Sequence, residues 1–303
     1  MATEKNVALV LSSGGARGLA HIGAIEQLQR RGYTIRSVVG SSMGALVGGM
    51  FATGKMNEFK EWVAKADFRT ILSLVDLSLS VNHIVKGEKI IDAMKEIVPD
   101  VNIEDLPIPF RAVATDWRNG REVVFDKGSL YDAIRASISI PLFFKPVEKD
   151  DMVLVDGGVI NPLPLSRAIR KKNDILVAVN VSGEYWGDAV GRSHLEGIKR
   201  NASRSLARRI VDAVLPSVND INFVSLMSRM SSIMIQQNAL MAIRLYKPDI
   251  LITMPMNRFS SFDYDKMDKI VAIGNSKMEK ALSDFSAKRA AALPFQNKAD
   301  GMR

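Results

Sequence analysis

Residues 35–50 read IRSVVGSSMGALVGGM, and the change of character inside them sets the fold class. Ile35 to Val39 is a short apolar run with β-branched residues, the pattern of a buried strand. Small residues then run from Ala45 to Met50, as in a helix packed closely on a sheet. Between them lies GSSMG, with Gly40 and Gly44 two residues either side of Ser42. A serine on a strand-to-helix turn is held clear of the backbone, where it can act as a nucleophile. Five letters of this kind arise often by chance, so the neighbouring chain must supply partners.

Towards the N-terminus the same unit occurs once more. Val7 to Leu11 reads as a strand, SSGGARG (12–18) as a glycine turn, and Leu19, Ile22, Ile25 and Leu28 as one face of a helix ending at Gly32. The opening is therefore βαβα. The expected class is α/β, with a mixed, mainly parallel central sheet and helices on both faces.

Further strands are expected at 109–116, 121–125, 152–158, 174–181 and 248–255, and helices at 87–98, 129–137 and 163–172. Residues 144–158 read as a hairpin turning at Lys149 to Asp151, which adds an antiparallel edge. The chain is expected to form a single domain over 5–285. Residues 183–225 are expected to form a peripheral, polar and basic helical excursion, and 286–303 a flexible tail that frays after Ala287.

A composition of 47% hydrophobic and 24% charged residues is that of a chain able to bury a core, rather than of a disordered one. With no cysteine, disulfides, thiolate metal sites and cysteine nucleophiles are excluded. Neither a secretory leader nor a spanning segment is legible. The formal net charge of +8 favours anionic partners without choosing among nucleic acid, headgroups and phosphorylated substrates.

In a parallel sheet the turns after adjacent strands share one edge, so the glycine loop and Ser42 should meet. Exposed amides at such a loop suit an anion. A dinucleotide pyrophosphate would require G-x-G-x-x-G, but Ser13 occupies the first glycine position, and the second strand ends in Gly40 and Ser41 without an acid for a ribose hydroxyl. The oxyanion of a tetrahedral intermediate fits better, with Gly14 and Gly15 turning amides inward and Arg17 fixing the loop or adding positive potential.

Ser42 needs a base. His21 lies on an apolar helix face and reads as a packing residue, and His83 sits in a surface segment. His194 has the chain order of an α/β-hydrolase base but a polar setting without a core pattern. Asp156 ends an apolar strand before Gly157 and Gly158, where a buried carboxylate can accept the serine proton. Asp116 is a weaker competitor, read as structural. A turn-capping role for Asp156 is the plain alternative.

Taken in order, SSGGARG, GSSMG and DGG resemble the patatin-like phospholipase family, as do 19–23, 133–147, 156–169, 248–255 and 270–274, so the similarity spans 5–285. The resemblance implies a three-layer α/β/α fold and a serine and aspartate dyad without a catalytic histidine. It makes Ser42 the nucleophile and Asp156 the base. It places Gly14, Gly15, Arg17 and Gly18 in the oxyanion loop and Gly40 and Gly44 in the nucleophile elbow. The reaction implied is cleavage of carboxylic esters of phospholipids or related lipids through an acyl-enzyme, with no metal and no cofactor. Ser13 departs from the usual leading glycine. Rival readings are a His-assisted α/β-hydrolase or acyltransferase, a nucleotide-binding module and a non-catalytic lipid-binding regulator.

The expected partner is a lipid ester, not nucleic acid. Residues 196–215 read as an amphipathic helix with Arg200, Arg204 and Arg208 on one face, either docked on the protein itself or lying on anionic headgroups. Met227, Met230, Met234 and Met241 line a segment that reads as core, acyl groove or homodimer face. The expected location is cytoplasmic, or peripheral at the inner membrane surface.

Overall fold

A computed structural model describes residues 5–65, 88–141, 144–184, 223–261 and 263–292. The described strands form one eight-stranded sheet, and the N-terminal βαβα unit builds its centre. Strand β1 (Asn6–Leu11) leads through a short 3-10 turn (Gly15–Leu19) into α1 (Ala20–Arg30), and β2 (Thr34–Ser41) leads through Ser42 into α2 (Met43–Ala52). Then follow α3 (Met56–Lys65), α4 (Glu88–Lys95), β3 (Phe110–Asp116), β4 (Arg121–Phe125) and α5 (Leu130–Ser137). The hairpin of β5 (Val147–Lys149) and β6 (Met152–Asp156) precedes β7 (Ile175–Gly183), α6 (Phe223–Tyr246), β8 (Ile250–Pro255) and α7 (Met267–Ala292).

The order β3-β2-β1-β7-β8 is parallel throughout, while β4 and β6 run antiparallel to β3, so the sheet is mixed as expected. Both faces of β1 are covered. Val7, Leu9 and Leu11 pack with α1, α2 and α7, and Ala8 and Val10 with Ala239 of α6. Continuous burial on both sides is why β1 and β7 read as unbroken apolar runs rather than alternating ones.

Strand β3 positions the site. Its Ala112 to Asp116 pair with β4 on one edge. The other edge is shared end to end: Phe110 to Val113 pair with β2, and Ala114 to Asp116 pair with β6. The last residue of β2, Ser41, lies against Val113, and the last residue of β6, Asp156, lies against Ala114. Two strands far apart in sequence thus end facing each other. The β5–β6 hairpin turns at Asp150 and Asp151, both at positive φ (47° and 60°), which is the two-residue turn matching strand twist.

Two expectations are corrected. The helix expected over 163–172 is only a 3-10 turn, Leu165–Arg167. Pro164 supplies no amide, and two nearby carbonyls are claimed from outside: Arg111 donates to Arg167 O (3.2 Å) and Ser37 Oγ to Ile169 O (2.5 Å). At the other end, α7 continues to Ala292, past the fraying expected after Ala287. The excursion over 185–222, including the basic helix at 196–215, lies outside the described residues, as do His83, His194 and the end of the chain. No described helix is long and apolar enough to cross a membrane.

Candidate active site

Ser42 sits between β2 and α2 with φ 55° and ψ −123°, a backbone conformation that a side chain pays to adopt. The two flanking glycines explain how the turn fits. A Cβ on Gly40 would lie 2.2 Å from the Gly44 carbonyl group, and one on Gly44 would lie 2.3 Å from Leu11 O. The first turn of α2 therefore rests directly on its own strand and on the end of β1. Larger residues at either place would lift Ser42 out of position.

Ser42 Oγ donates to Asp156 Oδ2 at 2.5 Å. The other carboxylate oxygen accepts from the Gly158 amide at 2.7 Å. Both residues are almost closed off, at 4% and 6% exposure. Burial pushes the Asp156 carboxyl up to about 6, against the two hydrogen bonds from Ser42 and Gly158 that favour the ionised form. A carboxylate with that proton affinity can take a proton from a hydroxyl it already touches.

The last residue of α5 and the short stretch after it hold both members of the pair. Ser137 Oγ accepts from the Ser42 amide (2.9 Å) and donates to Val113 O (2.6 Å), and Ser139 O accepts from the Asp156 amide (2.9 Å). Thr115 Oγ1 donates to Asp156 O (3.0 Å). Sequence reasoning gave Ser137 no role. Its partner is 95 residues away, and nothing local in SISIP marks it.

The glycine loop lies alongside. Gly44 abuts Ser12 O, Gly18 packs on the Met43 side chain, and Ser13 Oγ borders Gly158. Gly15 has φ +56°, and no protein acceptor takes the Gly14 or Gly15 amide among the described residues. The Met43 amide, at the start of α2, likewise has no intrahelical carbonyl. Arg17 is buried and fixes the loop from behind: Nε donates to Val181 O (3.1 Å), and Nη1 to Phe259 O and Ser261 Oγ (3.2 Å each). Ser13 Oγ and Ser41 Oγ are buried without a partner among the described residues.

His21 is fully buried, its Nε2 2.9 Å from Ser12 O and its Nδ1 unpartnered. Burial holds it down at about 4, so the ring is neutral near pH 7. It makes no hydrogen bond to Ser42. Asp116 closes the β3–β4 turn instead, accepting from Asn119 (2.7 Å) and Arg121 (3.2 Å), which keep its carboxyl below the ordinary range. No cluster of three His, Cys, Asp or Glu that could hold a metal ion occurs among the described residues.

Residues 9–169 match the patatin-like phospholipase family. The chain belongs to that family. Uncharacterised NTE family proteins of Mycobacterium bovis and Mycobacterium tuberculosis are 36% identical to it, over 93% of this chain and 93% of theirs. The neuropathy target esterase sws of Drosophila persimilis is 35% identical over 54% of this chain, which corresponds to 12% of that much longer protein. Among solved structures, VipD from Legionella pneumophila superposes with a TM-score of 0.50 at 14% identity, over 93% of this chain and 67% of that one. That likeness concerns the fold. The patatin-like domain match includes the glycine loop, the serine turn and Asp156, so the paired residues fall inside it.

Proposed function

We propose that this protein is a serine acyl hydrolase that cleaves carboxylic ester bonds of phospholipids or related lipids. The observation carrying the reading is the 2.5 Å hydrogen bond between Ser42 Oγ and the buried Asp156 carboxylate. Ser42 Oγ attacks the ester carbonyl carbon while its proton passes to Asp156 Oδ2. The carbonyl oxygen becomes an oxyanion, received by the amides of Gly14 and Gly15 and by the N-terminus of α2 at Met43. Collapse breaks the ester C–O bond. The leaving alcohol takes the proton from Asp156, and the acyl group stays on Ser42. Water then attacks the acyl-enzyme with Asp156 again as base, releasing the fatty acid and restoring the hydroxyl.

Family membership supports the lipid ester as substrate, and the hydrogen bond from Ser42 to Asp156, with none to His21, favours Asp156 over His21 as base. The test is covalent labelling by a fluorophosphonate probe together with release of fatty acid from phosphatidylcholine. Wild type is expected to label and to hydrolyse. Ser42→Ala is expected to do neither, and Asp156→Asn to hydrolyse on the order of a thousandfold more slowly while remaining folded. Labelling that persists on Ser42→Ala would overturn the assignment.

A further inference from the structure

Helix α6 is amphipathic in the reverse sense to an ordinary surface helix. Its inward side carries the buried Ala239 against Ala8, Val10 and Ala178. At 100° per residue the opposite side carries Leu226, Met230, Ile233, Met234, Met241 and Leu245, which are 42–71% exposed. A helix lying on its own sheet should turn polar residues outwards, and one apolar all round should be covered on both sides. Here only Gln237 and Arg244 interrupt the outer stripe. The helix contains no Asp or Glu. Its charges are Arg229 and Arg244, with Lys247 following.

We infer that the outer face of α6 docks the protein on an anionic lipid surface. Apolar side chains on a helix whose own charges are all cationic match the boundary between acyl chains and anionic headgroups. Methionines suit it further, because an unbranched thioether chain conforms to a disordered hydrocarbon layer. A second copy of this chain fits less well. It would bring +8 against +8 and set one arginine-bearing face against another. A stripe about 29 Å long on a single helix also falls well short of the roughly 800 Å² per partner that a stable interface buries.

The helix also lies near the paired residues. Helix α6 packs on the turn Gly157–Val159 that follows Asp156, and Asn238 Nδ2 donates to Ile160 O (3.4 Å). Val159, in the same turn, is 38% exposed. The purpose of docking rests on the lipid-hydrolase reading, but its test does not.

The experiment is co-sedimentation of the full chain with vesicles of phosphatidylcholine alone or mixed with phosphatidylglycerol, at low and high salt. Wild type is expected to pellet with the anionic vesicles and less so at high salt. The double variant Met234→Glu/Leu245→Glu, checked for folding by circular dichroism, is expected to lose roughly tenfold in vesicle affinity. Its turnover of the soluble ester p-nitrophenyl butyrate should stay within about twofold of wild type, because neither residue touches the paired side chains. Unchanged sedimentation of the variant would overturn the inference. So would light scattering that shows a wild-type dimer dissociated by the variant while vesicle binding persists. If wild type binds anionic vesicles and the variant does not, yet no ester is turned over, docking stands and the hydrolase reading falls.

Discussion

The hydroxyl of Ser137 accepts the amide hydrogen of Ser42 at 2.9 Å while donating its own proton to Val113 O at 2.6 Å. That bridge ties the strained turn of the nucleophile to the middle of β3. Ser137→Ala leaves a buried amide and a buried carbonyl unpaired, which costs about 1–3 kcal/mol. We expect a lower melting temperature and a labelling rate at Ser42 reduced at least tenfold. Ser139→Ala should lower the melting temperature, because its hydroxyl accepts from Arg135 Nη1 (2.6 Å) and donates to Arg135 O (2.7 Å), but should spare the labelling rate, since Ser139 serves Asp156 through its backbone carbonyl. Thermal melts and probe kinetics on the two variants make the comparison.

Asp156 works at a cost to the fold. Its carboxyl is raised to about 6 in the folded protein from an ordinary value of 3.8. Between those values the folded state holds the proton more tightly than the unfolded chain. Its contribution to stability therefore falls as pH rises through that window and is a constant penalty above it. At pH 7–8 the penalty reaches about 3 kcal/mol. Asp156→Asn should melt at a higher temperature than wild type there while losing turnover. In the wild type, kcat/KM should rise with pH along a limb centred near 6, because the base must be unprotonated.

His21 acts in the opposite direction. Its ring is held at about 4 against 6.5 in the unfolded chain, so acidification charges the unfolded state first. Stability then falls as pH drops from 6.5 towards 4, by an amount comparable to the Asp156 effect. The two slopes largely cancel in the wild type. Denaturant titrations across pH 4–7 should show a steeper acid loss in Asp156→Asn than in wild type. A flat profile in that variant would contradict the buried, neutral ring.

Ser42 holds φ 55° and ψ −123°, a region that glycine enters freely. Ser42→Ala retains the steric cost of a Cβ there, and Ser42→Gly removes it. Both variants should be inactive. Ser42→Gly should be the more stable by about 1–2 kcal/mol, read from chemical denaturation midpoints at equal m-value.

Much of the fold was legible because its signals are local. Apolar runs marked β1, β2, β3 and β7, and the acidic pair Asp150–Asp151 marked the hairpin turn. The glycine pairs around Ser42 were legible as a turn, though not their reason, which is contact with Leu11 and Ser12 from another strand. The turn at Leu165–Arg167 misled because its spacing is helical, while the bonds that straighten the following chain come from Ser37 and Arg111 on the sheet. Ser137 was invisible for the same cause. The methionine-rich segment of α6 was legible as core, acyl groove or dimer face without being marked as a helix, and a segment apolar on two sides cannot reveal which side meets the sheet. Only Ala239, buried against β1 and β7, settles that.

Because β2 and β6 abut on one edge of β3, the distance between Ser42 and Asp156 is gauged by two consecutive residues, Val113 and Ala114. Most of the chain intervening between the pair is a detour that the gauge does not measure. Cargo domains, longer loops or new chain ends grafted into that detour should be tolerated, whereas adding or deleting a single residue within β3 should silence the protein.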